Sequence, residues 1–216
     1  MKTISAWLLG YPYIANPLIG SATEPEAFVA RLDGFDCVTF METVLALASA
    51  SNIEEFLEHL REIRYEGGEV AWQKRLHYTT EWAKYNIRAG RLRNLVRGAD
   101  AVTRIKWLNF LPDYPARMVK FRYFPKRKLS KIGRRLKDGD LIFFVSTRKG
   151  LDTFHTGLIF RDGDRLLLRH AARSRGQVVE QELTEFVKAN RMSGFIVVRP
   201  REVHSAGNES DLLRSR

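Results

Sequence analysis

The chain has 216 residues, 44% of them hydrophobic, and a formal net charge of +11. That is enough apolar material for one packed domain, yet no run approaches the roughly 20 apolar residues of a membrane-crossing helix. A single cysteine excludes an intrachain disulfide, so its thiol serves either packing or chemistry.

The N-terminus has one lysine and a short apolar stretch, Ile4 to Leu9, before Gly10-Tyr11-Pro12-Tyr13. This is too short for the core of a secretory signal peptide. Localisation is therefore open: the cell envelope if the true start lies upstream, the cytoplasm if not. Asp36 is a good N-cap, and Cys37 to Ala50 (CVTFMETVLALASA) reads as a helix that is apolar on most sides and hence buried. Cys37 then lies in the first turn, where the helix dipole favours a thiolate. Asn52 and Glu55 begin a second helix, with Ile53, Phe56, Leu60 and Ile63 on its apolar stripe and Gly67-Gly68 at its end. A third covers about 79–89, with Trp82 and Tyr85 facing inward.

Residues 91–137, broken by Pro112, Pro115 and Pro125, suggest extended pieces with a basic loop outermost. Ten basic residues and no acidic one lie between Arg117 and Lys137. Such a stretch fits an anionic polymer, or simply a solvated surface. No DNA- or RNA-binding signature accompanies it, so a specific nucleic-acid partner is not expected.

From Asp138-Gly139-Asp140 the period becomes that of strands: Leu141–Ser146, His155–Phe160, Arg165–Ala171 and Gly194–Arg199, with a helix around Leu183–Asn190. Helices first and antiparallel strands after them make an α+β domain. Residues 1–202 form that single domain, with a helical insertion at about 52–90 and the basic segment 117–137. The tail, 203–216, is rich in Ser, Gly, Asn and Arg and is expected to be disordered.

Asp162-Gly163 is a two-residue turn signal, and a hairpin turning there sets His155 directly opposite His170. Alternation places His155, Gly157, Ile159, Leu166, Leu168 and His170 on one face, pressed against the cysteine helix. A thiol with two imidazoles gives a nucleophile, Cys37, a base, His155, and an orienting partner, His170. The main-chain N–H at the helix start would bind an oxyanion. The competing readings are an idle pair of exposed histidines and a zinc site. For zinc, CxxC, HExxH and a fourth ligand are all missing, so no metal and no cofactor is expected.

Five segments occur in order: Leu9-Gly10-Tyr11-Pro12-Tyr13; Asp36-Cys37-Val38-Thr39-Phe40-Met41-Glu42; Asp138-Gly139-Asp140; Gly150-Leu151-Asp152-Thr153-Phe154-His155-Thr156-Gly157; and His170-Ala171. Together they resemble the papain-like NlpC/P60 superfamily of cell-wall peptidases, and within it the DUF1460 group labelled N-acetylmuramoyl-L-alanine amidase-like. The resemblance implies a papain-like core in which Cys37, His155 and His170 are catalytic and Tyr13 contacts the oxyanion or substrate. It further implies substrate contacts from His77, Tyr78 and Trp82 and a structural Glu42. The implied activity is a cysteine amidase or peptidase acting on peptidoglycan or muropeptides, at N-acetylmuramoyl–L-Ala or D-γ-Glu–diamino acid. The alternatives are a thiol acyltransferase on the same fold, or a basic polymer-binding module whose site is inactive.

Overall fold

The computed structural model describes residues 1–201. The tail 203–216 lies outside the described residues. In chain order, α1 (Lys2–Trp7), α2 (Cys37–Ser49), α3 (Ile53–Arg64) and α4 (Thr79–Arg88) precede the short strands β1 (Leu92–Asn94) and β2 (Val102–Leu108). Then come β3 (Arg117–Pro125), α5 (Leu129–Gly133), β4 (Asp140–Val145), β5 (Thr153–Asp162) and β6 (Arg165–Ala172). β7 (Gln177–Glu182), α6 (Leu183–Ala189) and β8 (Gly194–Pro200) complete the order. The strands pair antiparallel along the path β2-β3-β8-β4-β5-β6-β7, with β1 added on β8. The chain is an α+β protein built on one antiparallel sheet.

Local chemistry sets the helix starts. The Asp36 carboxylate accepts the N–H groups of Val38 and Thr39, while Thr39 Oγ1 accepts the Asp36 N–H, closing a reciprocal cap. Residues Thr39 to Ala46 of α2 are all buried, as a helix apolar on most sides requires. Asn52 Oδ1 takes the Glu55 N–H at 2.8 Å and starts α3. The apolar N-terminal stretch is folded in as α1, whose Ser5 is fully buried and accepts a hydrogen bond from Arg169.

Alternation along β4 and β5 divides the sheet into two faces. Phe143 packs on Trp82 of α4, and Thr156 donates to Met41 Sδ of α2. Phe144 and His155 lie against Phe186 of α6 instead. The histidine face is expected under the cysteine helix; in the structure Phe186 of α6 packs on both rings, while Met41 of α2 meets Thr156, the residue after His155 along β5. Which helix covers which face is set by long-range topology that no local period encodes.

The hairpin register also differs from the expected one. The turn is at Gly163-Asp164, and Asp162 pairs with Arg165, so Gly157, not His155, is in line with His170. Gly163 supplies the positive φ, +58°, at the first turn position. The slip is two residues in register, an even number, so both histidines keep their common face.

A second correction concerns the basic segment. Arg117–Pro125 is a strand rather than an outer loop, with Met118, Lys120 and Arg122 exposed and their neighbours turned inward. Lys126 donates to the Asn190 carbonyl, and Lys128 and Lys131 both pair with Asp100. These three cations are occupied within the protein.

Candidate active site

The cap of α2 fixes Cys37, and a second strap fixes its surroundings. Tyr13 bridges Phe35 in parallel, Ile14 N–H donates to the Phe35 carbonyl at 2.9 Å, and Tyr13 N–H donates to Gly176 at 2.8 Å. The Gly10–Ile14 segment is thereby held alongside Phe35-Asp36-Cys37. Burial, and then the nearness of Cys37 and Asp36, raise the pKa of the Tyr13 hydroxyl, while Arg173 acts in the opposite direction. Arg173 was not singled out from the sequence. Its only signal there was its position three residues after His170, in the helical turn Arg173–Arg175.

Cys37 is partly exposed, and the main-chain N–H of Thr156 lies at its sulfur. His155 is the adjacent residue on β5. The irregular pairing between β4 and β5, where Phe144 faces His155 but Val145 faces Thr153, leaves Phe154 as an extra residue and re-aims this end of the strand. His155 Nε2 and His170 Nδ1 are 2.6 Å apart, with the rings nearly perpendicular. Phe144, Phe154 and Phe186 surround His155, and Phe186 also packs edge-on against His170. Gly157 makes this packing possible: a Cβ there would lie 2.8 Å from the Arg169 carbonyl oxygen and 3.0 Å from His170 Cβ. Among the described residues no hydrogen bond joins Cys37 to either imidazole.

The electrostatics oppose the thiolate expected from the helix start. Burial, then the neighbouring Asp36 carboxylate, push the Cys37 thiol up to about 12, outweighing the amides of Thr156, Cys37 and Val38. Burial, helped by His170, lowers His155 to about 3, and burial alone lowers His170 to about 4. The resting site therefore holds a neutral thiol and neutral imidazoles. Iodoacetamide alkylation of the folded protein is expected to keep accelerating above pH 9, as thiolate forms; a plateau reached below pH 7 would reveal an ion pair instead. The sign for stability follows from the same shifts. An imidazole held below its ordinary 6.5 favours folding fully above that pH, and the contribution fades as pH falls towards 3. The urea midpoint should drop between pH 7 and pH 4, and drop less in His170→Asn.

The cleft-covering residues are placed differently from expectation. Trp82 is 1% exposed and donates its indole N–H to Glu42 Oε1 at 3.0 Å. Tyr78 is 2% exposed, and its hydroxyl accepts from the N–H groups of Phe110 and Leu111. Both side chains are buried and hydrogen-bonded within the protein. His77 is half-buried, bonded to the Trp72 carbonyl at 2.8 Å and packed on Trp72 and Tyr114. Asp152 is buried and accepts from the N–H and hydroxyl of Thr80, tying the start of α4 to the start of β5. Among the described residues no three His, Cys, Asp or Glu side chains converge as a metal site, and no helix is long and apolar enough to cross a membrane.

A partly exposed cysteine at a helix start, with a hydrogen-bonded imidazole pair on two neighbouring strands, places the chain among α+β proteins carrying a Cys/His/His constellation. The AmiA-like family, described as N-acetylmuramoyl-L-alanine amidase-like, matches residues 3–195, and the chain belongs to it. Among solved structures it is similar to an N-acetylmuramoyl-L-alanine amidase from Bacteroides uniformis ATCC 8492. The two are 27% identical over 93% of this chain and 97% of that one, with a TM-score of 0.82. A structure from Bacteroides fragilis, named a putative xylanase, is 25% identical over 91% of this chain and 99% of that one, at a TM-score of 0.81. A DUF1460 protein from Legionella pneumophila shares the fold, at 23% identity over 93% of this chain and 88% of that one, with a TM-score of 0.82. No curated protein matches the sequence.

Proposed function

We propose that the protein is a cysteine amidase on a papain-like NlpC/P60 core, cleaving an amide bond in peptidoglycan stem peptides through an acyl-enzyme thioester. The observation that carries this reading is the position of Cys37: first in a capped helix, with the Thr156 amide at its sulfur and His155 next along the strand. N-acetylmuramoyl–L-Ala is the first candidate for the scissile bond, a reading supported by the description of the amidase-like family. D-γ-Glu–diamino acid is the second candidate, on the five-segment resemblance to the wider superfamily.

The chemistry assigns one task to each group. His155 Nε2 is engaged by His170, so Nδ1 is the nitrogen left to receive the Cys37 proton. With the free pair neutral, proton transfer accompanies substrate closure and attack rather than preceding them. Sulfur adds to the carbonyl carbon, and the oxyanion is met by the Cys37 main-chain N–H and the Tyr13 hydroxyl. Collapse breaks the C–N bond as the His155 proton passes to the leaving amine. Water, deprotonated by His155, then cleaves the thioester and restores the thiol. An acyltransferase would run the same first half and end on an amine. Mass spectrometry of defined muropeptides tests all of this. Wild type should release free stem peptide and the muramoyl acid, and Cys37→Ser should leave the substrate intact. Cleavage surviving in Cys37→Ser would remove the thiol from the mechanism, and a product joined to an added amine would make the protein a transferase.

A further inference from the structure

A cavity of about 990 Å3 opens between α4, the β2–β3 hairpin and β8, and neither Cys37, His155, His170 nor Tyr13 lines it. Its walls carry Lys74, Lys84, Arg88, Arg117, Lys120 and Arg122, against the acids Glu66 and Glu81. Lys84, Arg88, Lys120 and Arg122 are exposed at its margin. Arg117 is the odd member. Its guanidinium stacks on Tyr114, 4.4 Å from the ring centroid, which holds the plane in place. Glu81 forms an ion pair with Arg117 Nε at 2.9 Å, yet neither Nε nor Nη2, both shielded from solvent, makes an aligned hydrogen bond. A guanidinium held on one face, with two donors that its single ion pair leaves without an aligned hydrogen bond, in a surplus of positive charge, suits a carboxylate bound in bidentate fashion.

We propose that this groove is a second binding site, separate from the Cys37 cleft, for the carboxylate-bearing stem peptide of a neighbouring peptidoglycan strand. Arg117 grips a carboxylate, and Lys84, Lys120 and Arg122 supply the surrounding field. The choice of peptide rests on the peptidoglycan reading above; the charge surplus and the unmet donors do not. The volume is that of a pocket for a ligand of a few residues. A half-open groove of this size suits a short acidic peptide better than a continuous nucleic-acid strand, which is bound along an extended basic track with free aromatic faces. Here the Tyr114 face is already taken by Arg117.

The test uses the full chain with Cys37→Ala, which cannot turn over its ligand, and the free tripeptide L-Ala-γ-D-Glu-meso-diaminopimelate as probe. Titration followed by NMR should move the resonances of Tyr114, Met118 and Lys120. Calorimetry should show at least tenfold weaker binding for R117Q and for the K84Q/K120Q pair, whose exposed side chains put folding at no risk. The probe with its carboxylates converted to amides should bind at least tenfold more weakly. Shifts confined to Tyr13 and Thr156, or unchanged affinity in K84Q/K120Q, would overturn the site. So would an oligonucleotide that binds as tightly as the peptide. The two readings fail separately. Intact muropeptides with a groove that still binds would sink the catalytic proposal alone; cleaved muropeptides with a silent groove would sink this one.

Discussion

His155→Ala should hydrolyse a defined muropeptide at least about 10³-fold more slowly than wild type, the scale of a lost general base with its share of positioning. His170→Ala should lose less, and His170→Asn less again. The order follows from hydrogen-bond bookkeeping at the pair. For His155 to accept a proton at Nδ1, its Nε2 must carry the other proton and donate to His170 Nδ1, 2.6 Å away. His170 then holds its own proton on Nε2, an atom that is buried and has no protein partner among the described residues. An asparagine carbonyl accepts the same hydrogen bond, which an alanine cannot do. Kinetics on the three variants, with circular dichroism to confirm folding, decides the matter. A fully active His155→Ala beside an inactive His170→Ala would interchange the two roles.

The histidine pair was legible because its shared face depends only on parity. A hairpin slipped by two residues moved His170 from opposite His155 to opposite Gly157 and left both rings on one side. Cys37 was legible because the Asp36 cap and the apolar run behind it are local. What failed was non-local. The helix covering the histidines is α6, and Phe186, which packs on both rings, gave no sign of that in its own segment. β3 falls within the extended pieces expected over 91–137, but the lysine and arginine at its outward positions read as an outer loop, although Val119, Phe121 and Tyr123 alternate beneath them. The thiolate expectation erred by weighing the helix dipole alone. Burial and the carboxylate of the capping residue act on the same sulfur in the opposite direction. Burial first, and then the capping residue that builds the helix start, thus discourage the thiolate.

Arg64→Met should destabilise the protein by about 3–5 kcal/mol, the cost of breaking a buried ion pair by removing one partner. Arg64 and Glu42 have side chains 3% and 2% exposed and meet at 2.8 Å. Glu42 Oε1 also accepts the Trp82 indole N–H, and Arg64 Nη1 donates to the Val29 carbonyl. Three helices are thereby joined on one carboxylate: α2 through Glu42, α3 through Arg64 and α4 through Trp82. Burial raises the Glu42 pKa even with Arg64 beside it acting in the opposite direction, so the truncated variant leaves a carboxyl that must either stay charged without its partner or take up a proton. That second route gives the prediction a distinctive mark. The loss in Arg64→Met should shrink as pH is lowered, because a protonated Glu42 no longer needs a cation. Adding Glu42→Leu to Arg64→Met should recover part of the loss, since removing both charges removes the uncompensated one. Urea unfolding at pH 7.5 and pH 5 measures both effects. A loss that is independent of pH and additive in the double variant would mean that Arg64 acts through packing and its bond to Val29. In either case Cys37 heads the helix that this network anchors, so the same variants should lose thiol protection against alkylation in step with their stability.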